Sequence, residues 1–458
     1  MRDWRVGIVG AGPGGLMTAY SLQKLANCPV RITLFEATHR VGGKILTSHF
    51  RNSTVQYEAG AAEFYDYSQF YDYSQFDDDP LKELVAELGL STSPMAGSAV
   101  IMNDRILSNL DDIRDHLGTQ AHKSVLEFDR LARDRMTREE FYDSDNPDGA
   151  RPEPDRRRFD SILADVVEPE ARQYIENLIH SDLATEPSQT SQPYGLQNYL
   201  MNNPEYMHLY SIEGGNERLI HELAARIDAT VLLNHQVHRV VNVGHNRYRI
   251  DSIQDAKARQ DEFDFVVIAL PHNQLSSVTF AGDRLAEAVQ QHKARFDYPA
   301  HYLRITILFD RPFWRDAITE SYWMLDRFGG CCLYDESARV LGSTHGVLGW
   351  LLGGTAALEM NRLSDDQLIA EALDSLPDFL NQGRQHFVEG HVHRWIGAVN
   401  AIPGGIASIN LDRRHQPEPI ETPNLFMVGD YLFDSTINGV LDSANYVAAW
   451  LAAQITDN

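Results

Sequence analysis

Gly10, Gly12 and Gly15, in the run Gly10-Ala11-Gly12-Pro13-Gly14-Gly15, have the spacing of a turn that closes on a pyrophosphate. Gly10 permits a tight turn out of the apolar run Val6-Gly7-Ile8-Val9. Gly12 lets the backbone approach the phosphates, and Gly15 lets the following helix pack close to a sheet. Phosphates at such a helix start meet unpaired N–H groups and the positive end of the dipole. Glu36 ends the next strand-like run, about twenty residues further on. A carboxylate there accepts hydrogen bonds from ribose 2′- and 3′-hydroxyls and repels a 2′-phosphate.

A second set of residues extends the site beyond one nucleotide. Arg40-Val41-Gly42-Gly43-Lys44 combines a glycine pair, which permits close backbone approach, with two cations able to contact phosphate. Near the other end, Asn424 to Val428 is followed by Gly429-Asp430, where a carboxylate could hold a ribityl or pyrophosphate portion. Ser435-Thr436-Ile437-Asn438-Gly439-Val440 then opens a helix that could run beneath a flavin ring.

The elements that must position these residues are legible from periodicity. Val6–Val9 reads as a buried strand, Leu16–Leu25 as a helix and Val30–Phe35 as a second strand, a βαβ opening. A helix is expected over Leu81–Leu88, and a largely helical block over Leu110–Met201 is broken by an exposed loop at Asp143–Arg158. Past Gly214-Gly215, a helix at Glu217–Ile227 leads to strands at Thr230–Leu233, Val237–Val243, Phe263–Leu270, Tyr302–Phe309 and Leu348–Leu352. A helix at Ser364–Leu376, a strand at Leu425–Val428 and a final helix over Asn438–Ile455 complete the reading. Tyr65 to Phe70 is repeated as Tyr71 to Phe76, too short a unit for a solenoid, and lengthens a loop that ends in Asp77-Asp78-Asp79.

These motifs resemble the flavin-containing amine oxidase superfamily, which includes monoamine, polyamine and L-amino-acid oxidases. The run ending in Gly42-Gly43 resembles its FAD signature, and Glu58-Ala59-Gly60-Ala61 resembles the stretch that passes the isoalloxazine. Ile212-Glu213-Gly214-Gly215-Asn216, Phe265 to Pro271, Pro312-Phe313-Trp314, and Trp395 with Pro403-Gly404 fall in the family's order. The resemblance implies contacts from Gly60, Ala61, Ala62, Trp395, Asp430, Asn438, Gly439 and Val440 to FAD, with the Val237 backbone against adenine. It implies hydride transfer from a carbon next to nitrogen to flavin N5, with O2 as acceptor.

Three positions depart from that pattern. Arg304 stands where amine oxidases commonly carry a Lys, ten residues before Trp314; it could bind a substrate carboxylate or be a strand charge reaching the surface. Thr436, and a segment from Trp395 to Pro403 without Tyr, Phe or Cys, remove the usual aromatic pair and the site of a thioether link, so FAD is expected to be non-covalent. Ala62-Glu63-Phe64 replaces the Arg that clamps an α-carboxylate; Glu63 either attracts a cation or serves as a cap or ion-pair residue. His180 is a further candidate acid/base, against a structural role.

The chain of 458 residues carries a net charge of −25, which disfavours nucleic acid and anionic membranes as partners. Cys28, Cys331 and Cys332 make neither a disulfide framework nor a metal site. No apolar run of about 18 residues occurs, and the N-terminal run is cut by glycines, so a cytoplasmic location is expected. The fold class expected is α/β: a Rossmann-type FAD-binding domain from residues 1–95, 205–285 and 395–458, and a sheet-plus-helices substrate-binding domain from 96–204 and 286–394. The function expected is oxidation of an amine or amino acid. A desaturase or isomerase acting on a C–C bond and a non-catalytic FAD-binding protein are the alternatives, and a homodimer is left open.

Overall fold

The computed structural model describes residues 3–51, 53–67, 79–137, 140–141, 157–282, 284–339, 344–404, 409, 411–433 and 435–455. The second copy of the six-residue repeat and nearly all of the Asp143–Arg158 loop lie outside the described residues.

Five parallel strands form one sheet, in the order Ala229–Leu232, Val30–Phe35, Trp4–Val9, Phe265–Ile268, Leu425–Met427. A parallel sheet needs cover on both faces, which explains why Val6-Gly7-Ile8-Val9 is apolar throughout rather than alternating. One face is covered by the helix Pro13–Leu25 and the terminal helix Ile437–Gln454, with Leu16, Ala19, Ala444, Val447 and Leu451 buried in one core. Ser21 donates to Asn445 Oδ1 at 2.7 Å between the two helices. The other face meets a four-stranded sheet containing Gln236–Gly244, through a core that includes Val9, Phe35, Tyr248 and Ile268.

The single strand expected over Phe263–Leu270 is two strands. Lys257–Phe263 is antiparallel and belongs to the four-stranded sheet, whereas Phe265–Ile268 is parallel in the five-stranded one. The change of sheet falls at Asp264, whose backbone N–H donates to Arg5 O at 2.9 Å and whose carboxylate accepts Arg5 N–H at 3.0 Å. A polar side chain in an otherwise apolar run marks the switch.

A second, seven-stranded and largely antiparallel sheet has the order Phe387–Asn400, Pro299–Phe309, Gly346–Gly353, Cys331–Asp335, Tyr322–Leu325, Val100–Met102, Arg105–Leu107. Its core holds Trp314, Trp323 and Trp350, all fully buried. The indole N–H groups of Trp314 and Trp350 donate to Asp335 and Ser375, each at 3.0 Å. The helices Thr119–Arg135, Pro169–Leu183 and Gln192–Leu200 pack together over a second core that includes Phe128, Ile175 and Tyr199.

Candidate active site

At the start of Pro13–Leu25 the glycines are required by contact. Gly10 has φ +103°, and a Cβ on Gly15 would lie 2.0 Å from Gly10 O, so the helix rests directly on the turn. Gly12 caps the helix in an extended conformation with no side-chain hydrogen bond, and Pro13 has no N–H to give. The loop 40–45 docks on this turn through Gly42 N–H to Ala11 O at 2.8 Å. A Cβ on Gly12 would sit 3.8 Å from Gly43 Cα. Two bare backbones beside a helix start with no side-chain cap form a cradle suited to a pyrophosphate.

Glu36 lies where the ribose argument requires, at the end of Val30–Phe35. Its carboxylate accepts Ala11 N–H at 3.1 Å, and Thr38 N–H and Oγ1–H at 2.9 and 2.8 Å. A carboxylate has about four lone-pair sites, so capacity remains for a hydroxyl. The Glu36 carbonyl accepts His235 N–H at 2.8 Å, which brings Val237 to the same corner. Arg40 is committed to the loop itself. It donates to Val41 O, Ile45 O, Gly43 O and Glu217, so it shapes the turn that carries Gly42 and Gly43.

A cleft with about 920 Å³ of empty space, including its open mouth, begins at Pro13 and ends at the seven-stranded sheet. Among the residues expected to hold cofactor, Pro13, Lys44, Gly60, Ala61, Ala62, Trp395, Asp430, Asn438 and Val440 line it. Gly10, Gly12, Gly14, Gly15, Glu36, Gly42, Gly43, Val237, Gly429 and Gly439 are not in its wall. The glycines among them shape the turns and helix starts around it, whereas Val237 lies within the strand Gln236–Gly244. Lys44 donates to Ala398 O at 2.7 Å and pairs with Asp430, joining the glycine loop to the Gly-Asp turn. Trp395 is pinned by its indole N–H to Ala59 O at 2.7 Å. Thr436 caps the terminal helix by accepting Gly439 N–H at 3.1 Å. Asn438 donates to Asp79 at 3.1 Å, and its buried Oδ1, at the cleft wall, has no partner among the described residues. Burial, with Asp66 nearby, pushes the Asp79 carboxyl up to about 6.

Of the three catalytic candidates, the structure brings Arg304 and Glu63 together in this cleft and places His180 outside its wall. Arg304 is 1% exposed and pairs with Glu336, also 1% exposed, so it is not a strand charge reaching the surface. Glu336 in turn accepts Glu58 N–H at 2.6 Å. Gly349 leaves the room for this pair, because a Cβ there would lie 2.5 Å from Glu336 Oε1. Arg304 Nε and Nη1 have no partner among the described residues, and the guanidinium lies 5.1 Å from the centre of the Tyr334 ring. His180 is held by Gly330 O at 3.1 Å and Glu186 at 3.3 Å, under the Gly329-Gly330 turn.

Sequence reasoning missed Tyr302, Tyr334 and Leu351 in the cleft wall, and Glu336 behind Arg304. Tyr302 carried a signal, lying two positions from Arg304 on one strand and therefore on the same sheet face. Tyr334 and Glu336 come from the next hairpin, and nothing in their local sequence points to the cleft. Lys44 is matched by Asp430 and Arg304 by Glu336, while Glu63, hydrogen-bonded to Tyr334, adds one further negative charge. The rest of the wall is mostly aromatic and aliphatic, from Phe64, Tyr65, Tyr302, Leu351, Val399 and Ile437, with Ser435, Thr436 and Asn438 the polar exceptions.

Comparison with known proteins matches residues 13–451 to the family described as flavin containing amine oxidoreductase. A double mutant of putrescine oxidase has a similar fold, with a TM-score of 0.76 at 19% identity, covering 99% of this chain and 100% of that one. Cyclohexylamine oxidase from Brevibacterium oxydans matches with a TM-score of 0.70 at 18% identity, over 99% and 100% of the two chains. Prenylcysteine oxidase 1 of Mus musculus is 35% identical over 96 residues, which are 21% of this chain and 16% of that protein. The aligned region therefore spans about a sixth of that relative's length.

Proposed function

The chain belongs to the flavin containing amine oxidoreductase family, and from that premise we propose that this FAD-dependent oxidoreductase oxidises the C–N bond of an amine that arrives as a cation and gives up one N–H proton to solvent before the hydride leaves its carbon, with O2 as electron acceptor. The observation that carries the amine reading is the charge of the cleft. Its two cations are each matched by a carboxylate, and Glu63 makes the balance negative within walls of tyrosine and aliphatic side chains. Such a site lowers the energy of an ammonium group and does little for a neutral or anionic substrate.

Gly12, Gly43 and the helix start at Pro13 would hold the pyrophosphate, Glu36 the adenosine ribose, and Lys44, Gly60, Ala61, Trp395, Asp430 and Val440 the flavin portion. The segment from Trp395 to Val399 has no cysteine, which supports a non-covalent cofactor. When bound, the flavin supplies the electron-accepting ring, and the difficult chemistry is its own. The protein's part is to bring the amine in through Glu63, to hold its C–H bond in a fixed orientation and to keep water out with the aromatic walls. Arg304, fixed by Glu336, supplies a permanent positive charge and two donors at the cleft wall.

The test is an anaerobic titration of the yellow protein with amines, polyamines and amino acids, followed at about 450 nm, where the bound flavin absorbs. Bleaching by amines, with colour and peroxide returning in air, is the expected result. Bleaching by amino acids alone would assign Arg304 to a substrate carboxylate. Bound FAD that no nitrogen compound bleaches would overturn the amine reading in favour of chemistry at a C–C bond.

A further inference from the structure

At the start of the terminal helix one buried carboxylate ties three elements together and fixes which end of a cleft-wall amide the protein itself takes up. Asp79 is 3% exposed and caps the helix Pro80–Glu87, its side chain accepting Lys82 N–H at 2.8 Å. It also accepts the backbone N–H of Tyr67, just beyond the strand Phe64–Asp66. A third bond reaches the terminal helix: Asn438 Nδ2 donates to Asp79 Oδ2 at 3.1 Å, and to Tyr65 O at 3.4 Å. An ionised carboxylate and a carbonyl can only accept, so the Asn438 amide has one allowed orientation. Its NH2 group faces the protein. Its Oδ1, buried and without a partner among the described residues, is left over in a residue of the cleft wall. A buried acceptor with no donor is costly, which marks it as an acceptor for a bound group.

We propose that Asp79 is a positioning residue for the cofactor: by holding the Asn438 NH2 group it leaves the amide carbonyl to meet an N–H of the bound isoalloxazine ring. The proposal rests on the placement of the flavin beside the start of the terminal helix. That ring carries an imide N–H, a donor that the carbonyl end of an amide accepts and the NH2 end repels. The orientation lasts only while Asp79 is ionised. Once protonated, its carboxyl has an O–H to give, and the Asn438 carbonyl can take it. The amide then turns over with almost no change of shape and presents NH2 where Oδ1 stood.

The charged and titratable groups around Asp79 are Asp66 on the strand Phe64–Asp66, Lys82 on its own helix and Tyr210 on the strand His208–Ile212. Lys82 pairs with Asp66 at 3.1 Å and lies 4.0 Å from the centre of the Tyr210 ring. Burial acts most strongly on Asp79 and, with Asp66, outweighs the N–H groups that bond to it, so its carboxyl stands at about 6. FAD that needs the ionised form is therefore held most tightly above that value, and its affinity falls as pH drops through about 6. The loss should level off at about tenfold, the effect of exchanging one neutral hydrogen bond for two opposed donors.

The experiment measures FAD retention rather than turnover. Free flavin in equilibrium with the holoenzyme is read by fluorescence in ultrafiltrates from about pH 5 to about pH 8, giving Kd for the wild type, Asp79→Asn and Asn438→Ala. The wild type should hold FAD about tenfold more weakly at the acid end, with the midpoint at about 6. Asp79→Asn keeps an oxygen for Lys82 N–H but offers Asn438 an NH2 group, so at every pH it should bind FAD as the wild type does in acid. Asn438→Ala leaves Asp79 in place and removes the amide it controls, so the pH step should disappear. A wild-type Kd that does not change across this range, or a step that survives in Asn438→Ala, would overturn the assignment of Asp79. Neither result needs the Asp79 variant to fold. An Asn438→Ala protein that holds FAD as tightly as the wild type at the alkaline end would overturn the placement of the flavin there as well.

Discussion

Glu336→Ala would leave Arg304 as an isolated charge in the core. Both side chains of the pair are 1% exposed, and two of the guanidinium's nitrogen donors already lack partners among the described residues. A buried lysine could respond by losing its proton; an arginine cannot. Breaking a buried ion pair from one side costs about 3–5 kcal/mol. The Glu58 N–H, which now donates to Glu336 at 2.6 Å, would lose its acceptor at a further cost of about 1–3 kcal/mol. The Tyr334 ring at 5.1 Å and the attraction of Glu63 offset part of this, so a net loss of about 4 kcal/mol is expected. Urea unfolding followed by tryptophan fluorescence measures it, with the three buried tryptophans of the seven-stranded sheet's core as reporters. The double variant Arg304→Met/Glu336→Leu removes both charges and should recover about 3 kcal/mol, leaving mainly the Glu58 N–H unsatisfied. A loss under about 1 kcal/mol in Glu336→Ala, or a double variant no better than the single one, would refute the view that this is an uncompensated charge problem.

Gly15→Ala places a methyl 2.0 Å from Gly10 O and must push the helix off the turn; the purified protein should be colourless, checked by its flavin absorbance after reconstitution. Glu63→Gln removes the charge that makes the cleft negative and should raise KM for amines by about tenfold, with a smaller change in kcat, in steady-state peroxide assays. The His180–Glu186 pair should contribute most stability between the ordinary glutamate and histidine values, 4.5 and 6.5. The His180 bond draws Glu186 down to about 2, so that contribution is lost as pH falls towards 2. Burial opposes charge on His180, but its bond and attraction to Glu186 win and raise its pKa, so the contribution is also lost as pH rises through that raised value. Glu186→Gln should flatten both limbs in thermal melts across pH; an unchanged profile would remove the pair as a source of stability.

The alternation of apolar runs and glycine turns was enough to locate the strands Trp4–Val9, Val30–Phe35 and Leu425–Met427 and the helices beside them, because local spacing dictates local structure. The glycine turn and Glu36 were legible for the same reason: each glycine answers a contact made within a few residues of it or with the adjacent strand. The long strand Phe387–Asn400 escaped detection because it is mostly half-buried, and residues such as His391, His393 and Arg394 break the alternation that marks a strand. Arg304 stood out by type and position, yet its two readings could not be separated along the chain. Glu336, 32 residues later, and Gly349 across the sheet settle that it is a buried ion-pair residue, since antiparallel pairing brings all three together. Tyr334 gave no signal at all, because its place in the cleft wall comes from the pairing of the strand Cys331–Asp335 with Gly346–Gly353, which local sequence does not announce. Short-range spacing therefore determined the glycine turn proposed to hold the pyrophosphate, whereas the charge of the cleft was decided by tertiary packing, which alone sets the burial of a charge and the group it faces.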